Sequence, residues 1–404
     1  MLTNPEYGQA QALLLSAVVT VGTEELPLSQ CGGRILAQAL VAQENIPPFD
    51  RSPYDGYAFR AEDAAGAQEE QKVTLQIVEE IPAGAVPTRT IVPGTAAKVL
   101  TGAPIPEGAD AVIMYEKTSF TDTHVTLTCP VPAGANIVRT GEDVEKGAVL
   151  AQGGAVIDPG LAGTLASQGI AEPKVYKRPK IGILSTGSEL VEIDAAPEAG
   201  KIRNSNRYML ESAVKSLGCE VIYLGTAGDS AEEICALIKQ GLTACDGVIS
   251  TGGVSVGDYD LTPEAMEKAG VKLLFRGVDM KPGMACAYGI YEGKPVCGLS
   301  GNPASALTNF YVVALPALRK LMGLGSMLPR QTCVTLTDDF GKPSPKTRFL
   351  RGRLVLEDGC VKMTLPKDQG NVMLSSTLGC DVMAVVPAGS GPVGAGTVLK
   401  GFLL

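Results

Sequence analysis

The chain of 404 residues contains one histidine and no tryptophan. With a single imidazole, a Ser–His–Asp nucleophile and a histidine-built zinc site are poor candidates, since each needs that ring as base or ligand. His124 itself lies in the alternating run 123–128, where it reads as strand surface. Acid, base and metal-binding work must therefore fall to Asp, Glu, Lys, Arg and the backbone. Clustered basic residues are missing as well: the formal net charge is −9, so no nucleic-acid footprint is present. A small anion could still be held locally by backbone N–H groups and a few cations. Long apolar runs are lacking; Ala12–Val21 and Phe310–Leu318 fall short of the roughly 20 residues that span a bilayer. No basic stretch leads into an apolar core at the N-terminus, and a cytoplasmic protein without a membrane partner is expected. None of the ten cysteines forms C-x-x-C, which favours buried free thiols in a reducing compartment over a disulfide or zinc framework.

Hydrophobic residues (45%), Gly (48) and Pro (27) are abundant. At roughly 100–200 residues per domain, the length implies several cores joined by many turns. Residues 8–45 read as helical: Ala10–Val19 is apolar and unbroken, and Gly32–Glu44 has helix-friendly composition before Ile46-Pro47-Pro48 breaks the pattern. Short alternating runs punctuated by Pro and Gly fill 47–146, the texture of a β domain. The expected organisation is an elongated helical and Gly-rich linker domain (1–46 and 147–178) interrupted by that inserted β domain. Over 179–328 strands at Lys180–Leu184, Val221–Gly225, Asp246–Ser250 and Lys294–Leu299 alternate with helices at Asn206–Leu217 and Ala231–Gln240. Repeated βα units predict a mainly parallel sheet covered by helices. A small C-terminal β domain follows at 329–404, so the fold class is multidomain α/β plus β.

Ligands of parallel sheets sit beyond the carboxyl ends of the strands. Three loops occupy that position: STGSE (185–189), STGGVSVGDYD (250–260) and LSGNPAS (299–305). The second combines Gly252, Gly253, Ser255 and Gly257 with Asp258 and Asp260, and fits neither the P-loop nor G-x-G-x-x-G. A glycine loop after a strand suits an anion, whereas carboxylates repel one; a Mg²⁺ between a phosphate and Asp260 would reconcile the two. Asp229, past the preceding strand, would approach the same place, or would simply cap the helix that starts near Ser230. Glu189 stands where a helix dipole alone would favour an acid, and Lys281 precedes a turn where a solvated lysine is ordinary. Ser300-Gly301-Asn302-Pro303 opens a helix whose first turn can bind an anion or merely suit proline. In the inserted domain Asp55, Thr101, Glu142 and Asp143 lie in Gly- and Pro-rich turns, none specific alone.

Taken together and in this order, PYDGYA, TGAPIPEGADAVI, RTGEDV, GILSTGSEL, STGGVSVGDYD, MKPG and LSGNPASA closely resemble the molybdopterin molybdenumtransferase family of molybdenum-cofactor synthesis, to which gephyrin's E domain is related. The resemblance covers nearly the whole chain. It implies a cytosolic, elongated, multidomain homodimer that takes adenylylated molybdopterin and molybdate with Mg²⁺, releases AMP and leaves the metal on the dithiolene. By resemblance, Asp229 and Asp260 hold Mg²⁺. Asp55, Thr101, Asp143 and Glu189 serve catalysis, the first three closing the cleft from the partner subunit. Gly252, Gly253, Ser255, Lys281, Ser300, Asn302, Pro303, Ser305, Lys346, Arg348, Arg351 and Asn371 make up the substrate and oxyanion set.

Departures from the family pattern gather at the expected oxyanion pocket. Gly277 stands in place of a second lysine, Ser300 of a proline and Asn371 of a serine; Lys346 takes an arginine's place, with Arg348 and Arg351 near. A lost charge predicts weaker oxyanion binding, since a charge-assisted hydrogen bond outweighs a neutral one. The alternatives are a tungstate-handling or insertion-impaired paralogue, and a gephyrin-like scaffold for partner peptides. Peptide binding would need none of Asp143, Glu189, Asp229 and Asp260.

Overall fold

The segments 181–186 and 247–251 are buried at every position, the signature of strands covered on both faces. In the computed structural model, which describes residues 1–255, 260–357 and 359–404, they lie at the middle of a seven-stranded sheet. Gly257 and Asp258 lie outside the described residues. Contacts divide the chain into two units: Met1–Gln38, Gly153–Asp158 and Glu172–Leu404 form one, Ala39–Gln152 and Pro159–Ala171 the other.

The sheet of the first unit contains β1 (Leu2–Thr3), β2 (Lys180–Thr186), β3 (Glu220–Ala227), β4 (Gly247–Thr251), β5 (Lys272–Arg276), β6 (Cys286–Tyr291) and β7 (Lys294–Leu299), in the order β1-β5-β6-β7-β4-β2-β3. Strands β7, β4, β2 and β3 run parallel, while β6 is antiparallel to both of its neighbours, so the sheet is mixed with a parallel half. Side chains alternate across it. Ile181, Ile183 and Ile249 enter one core with Leu14 of helix α1 (Tyr7–Ala17) and with Leu210 and Val214 of helix α2 (Ser205–Ser216). Leu184 and Val248 enter the opposite core with Ile234 and Ile238 of α3 (Ala231–Ala244) and Met266 of α4 (Thr262–Lys268). Asn204 caps α2, and Gly218 follows it at φ 86°. Ser230 caps α3 by accepting from Glu233 N. After β7, α5 (Pro303–Asn309) runs through a π-helical turn at Phe310–Ala314 into α6 (Leu315–Leu321).

The C-terminal strands Gln331–Leu336, Thr347–Glu357, Cys360–Thr364, Val382–Val386 and Val398–Leu403 close on themselves, because Thr347–Glu357 pairs with Val382–Val386 as well as with Cys360–Thr364. Closure removes the free edges of a small β-barrel. The two-residue strand Met280–Lys281 adds to it in parallel, with Lys281 opposite Arg348.

The second unit is built on a six-stranded sheet, Ala111–Met114, Gly56–Phe59, Thr95–Val99, Val73–Ile81, His124–Leu127 and Thr118–Phe120 in spatial order. His124 is exposed on its strand, as alternation suggested.

Two expectations fail locally. Gly32–Glu44 is not a helix. Its backbone pairs outward, Leu36 N to Ala155 O (2.8 Å) and Ala37 N to Lys174 O (2.9 Å), and Gly33 takes φ 73°. Composition favoured a helix there, but paired glycines weaken one and tertiary ladders supplied the alternative partners. All ten cysteines are free, yet Cys333 and Cys360 are exposed rather than buried. No helix among the described residues is long and apolar enough to cross a membrane.

Candidate functional site

The four parallel strands β7, β4, β2 and β3 end side by side, and the loops after them enclose a cleft of about 430 Å³. Its walls bring together Glu189 after β2, Asp229 after β3, Gly252, Gly253, Ser255 and Asp260 after β4, and Ser300 and Asn302 after β7. Residues more than 100 positions apart in sequence thus meet because adjacent parallel strands deliver their C-terminal loops to one edge.

Asp229 is exposed and accepts from Ser188 Oγ at 2.6 Å, while Ser230 takes the helix cap. The capping role open to Asp229 is therefore filled by its neighbour. Glu189 lies in a turn and not in a helix, so no dipole accounts for it; its carboxylate sits over Gly187, where a Cβ would fall 2.3 Å from Oε2. Lys201 Nζ donates to Ser188 O at 2.6 Å, placing a cation at the rim. Asp260 Oδ1 accepts from Ser255 N at 2.7 Å.

The glycines of this loop answer first to close packing. Gly252 (φ 102°) and Gly253 (φ 63°) would press a Cβ to 2.4 Å from Thr186 Oγ1 and 2.7 Å from Thr262 Oγ1. Gly252 N donates to Leu299 O at 2.9 Å, and Ser255 N is engaged by Asp260. An anion cradle built from these two N–H groups is thus not what the loop presents. Similarly, Ala304 N at the start of α5 donates to Asn371 O at 3.1 Å, so the barrel segment occupies part of that helix terminus.

The remaining oxyanion candidates do not line the cleft. Lys281 is exposed beside Arg348. Lys346 commits its charge to Asp279 at 2.7 Å. Arg348 shares its strand face with Leu350 of the barrel core and donates to Ser344 Oγ at 3.0 Å. Arg351 shares its face with Phe349, which packs in the main core, and is fully buried. Its Nη2 donates to Ser376 Oγ (2.9 Å) and Gly370 O (3.3 Å), while Nε and Nη1 have no partner. Burial pushes its pKa down. Arg351 therefore stands against Gly370, next to Asn371, whose carbonyl in turn meets α5. Pro303 lines a second cavity adjoining the cleft, and buried Ser305 lies deeper in α5. Asn309, which sequence gave no reason to select, donates to Gly283 O at 2.7 Å and steadies the turn after Lys281.

In the second unit, Thr101 donates to Asp55 Oδ1 through its N–H (2.7 Å) and its hydroxyl (2.8 Å). The backbone donor first and then the hydroxyl hold the Asp55 carboxyl below its usual range. Asp143 belongs to a separate turn, fixed by its own N–H to Ile46 O at 3.0 Å.

A protein with an acidic ligand cleft at a parallel-strand edge, a six-stranded β unit and a terminal β-barrel is the class this architecture defines. Residues 6–169 match the MoeA N-terminal region (domain I and II), 182–320 the probable molybdopterin binding domain, and 334–403 the MoeA C-terminal region (domain IV). The chain is 39% identical over 322 residues to a molybdopterin molybdenumtransferase of Staphylococcus aureus (strain COL), covering 80% of this chain and 77% of that protein. It is 38% identical over 338 residues to a Staphylococcus epidermidis protein of the same name, with 84% and 81% covered. The molybdopterin biosynthesis moeA protein from Pyrococcus horikoshii OT3 superposes with a TM-score of 0.86 at 33% identity, over 99% of this chain and 100% of that one. The chain belongs to the MoeA family, as the sequence motifs implied.

Proposed function

We propose that this chain inserts molybdenum from molybdate into adenylylated molybdopterin, with Mg²⁺, and releases AMP. The observation that carries this is the convergence of Glu189, Asp229 and Asp260 on one cleft at the ends of adjacent parallel strands. Mg²⁺ takes one or two carboxylates and completes its shell with substrate phosphates and water, a demand that two of these acids can meet. Asp229 and Asp260 would hold it there, and bound Mg²⁺ would neutralise the phosphoanhydride oxygens. Glu189, on the loop after the strand that lies between those of Asp229 and Asp260, orients the substrate beside them. Arg351, enclosed with two of its nitrogens unpaired beside Asn371, is assigned to the oxyanion together with the exposed Lys281. Asp55, Thr101 and Asp143 complete the site from the partner subunit of a cytoplasmic homodimer.

The test is AMP release from adenylylated molybdopterin with molybdate and Mg²⁺, followed by chromatography. Asp260→Ala should slow it by more than about 100-fold, beyond the loss typical of residues that only support a metal ligand. Release at the wild-type rate would remove the metal assignment. Absence of release by the wild type, with tungstate as with molybdate, would overturn the function itself.

A further inference from the structure

The acidic cleft continues into a second cavity of about 280 Å³, the two sharing Thr186, Glu189, Ile202, Gly301 and Asn302 as walls. The described residues that line them include three carboxylates, Glu189, Asp229 and Asp260, and a single cation, Arg203 of the second cavity. Such a balance is unfavourable for a ligand that carries phosphate. One bound Mg²⁺ would cancel two of the three negative charges, and the third would still repel a phosphate unless a cation stood near it.

Arg203 follows Ile202 on a two-residue strand that pairs in parallel with Leu190–Val191. Ile202 N donates to Glu189 O and Asn204 N to Val191 O, both at 2.9 Å, so the backbone that carries Arg203 is tied to the segment that carries Glu189. Arg203 is exposed, and its one side-chain hydrogen bond among the described residues runs from Nε to Ile193 O at 3.1 Å; no carboxylate there pairs with it. With Nε held, the guanidinium keeps its Nη1–Nη2 edge, which can meet a phosphate through two parallel N–H bonds. Lys201, two residues earlier, behaves differently. It lines neither cavity, and its Nζ is committed to Ser188 O at 2.6 Å.

We infer that Arg203 is a phosphate-binding residue, its Nη1–Nη2 edge taking oxygens of the diphosphate that links the two halves of the substrate. This rests on the proposed function, which puts that diphosphate in the acidic cleft next to the wall the two cavities share. Arg203 supplies the positive charge that the cleft lacks, so it recognises the anionic linker and not either ring system. A lysine would bring the charge without the two parallel donors, and the two side chains are not interchangeable at such a place.

The experiment measures dissociation constants on the full chain by calorimetry, with magnesium chloride in every sample. The probes are adenosine diphosphate, whose diphosphate stands in for that of the substrate, and adenosine, which lacks it. The wild type should bind the diphosphate more tightly by about tenfold or more, the factor a charge-assisted hydrogen bond supplies. Arg203→Met should remove that preference by weakening the diphosphate alone, and Arg203→Lys should keep part of it. A wild type that binds both probes equally overturns the inference, and so does a preference that survives Arg203→Met. Arg203→Met weakening both probes in proportion would mean that Arg203 only holds Ile193 in place, and overturns it as well. Should Arg203→Met fail to fold, Arg203→Lys decides, because full wild-type affinity for the diphosphate would refute the paired donors. A wild type that binds neither probe overturns the functional proposal along with the inference.

Discussion

Replacing Arg351 by methionine should stabilise the chain and cost it its oxyanion. Arg351 is fully buried, yet only Nη2 is bonded, to Ser376 Oγ at 2.9 Å and to Gly370 O at 3.3 Å. Bonds from a charged donor contribute about 1.5–3 kcal/mol each, and the longer of these two belongs at the low end. Against them stand two unpaired nitrogens, Nε and Nη1, at about 1–3 kcal/mol each, and a buried charge in no ion pair among the described residues, which costs several kcal/mol more. Methionine matches the length of the arginine stem and adds no polar atom. Ser376 Oγ keeps a bond of its own, to Met373 O at 2.5 Å. The balance favours Arg351→Met by about 1–3 kcal/mol in the absence of ligand. Calorimetric melting with and without molybdate reads both halves of the argument. For the wild type, molybdate at about 100 times its dissociation constant should add about 2.7 kcal/mol; the variant should gain nothing. A variant destabilised by more than about 2 kcal/mol would show that the unpaired nitrogens have a partner the argument omits. Molybdate stabilisation equal to that of the wild type would show that the oxyanion binds elsewhere.

Thr101→Val removes the hydroxyl bond to Asp55 but keeps the N–H bond, so the Asp55 pKa, followed by ¹³C NMR, should rise part of the way to its ordinary value of about 3.9. The sign follows: a lowered carboxyl pKa adds stability that is complete above the unfolded value and is lost as pH falls through the folded one, so an unchanged pKa would discard the hydroxyl's part. Gly277→Lys restores a lysine but places it at φ 69° with a Cβ 2.0 Å from Asn4 Oδ1. It should lower the melting temperature through about 1–2 kcal/mol of left-handed strain rather than simply tighten molybdate; an unchanged melting temperature would refute the strain. Asp143→Ala and Asp260→Ala chains, each inactive alone, should recover part of the activity when mixed and allowed to exchange subunits. No recovery, with exchange verified by mass spectrometry, would rule out a shared site.

Much of the α/β unit was legible from local rules. Strand–helix alternation marked β2, β4 and β7, and Ser230 marked where α3 begins, because caps and periodicity are properties of a few neighbouring residues. The antiparallel placement of β6 and the closure of the barrel were not, since both depend on pairings between distant strands.

Within the site, the sequence by itself determined which chemical groups were available: carboxylates, backbone and a few cations, with one histidine to spare. Tertiary structure alone decided what each does. It set Asp229 against Ser188, consumed the Gly252 and Ser255 N–H groups internally, neutralised Lys346 with Asp279, and left Arg351 and Asn206 with unpaired polar atoms. Whether a polar atom is satisfied depends on atoms brought within about 3 Å by the fold, often from more than 40 residues away, as Thr251 and Gly301 are for Asn206. No local pattern encodes that distance.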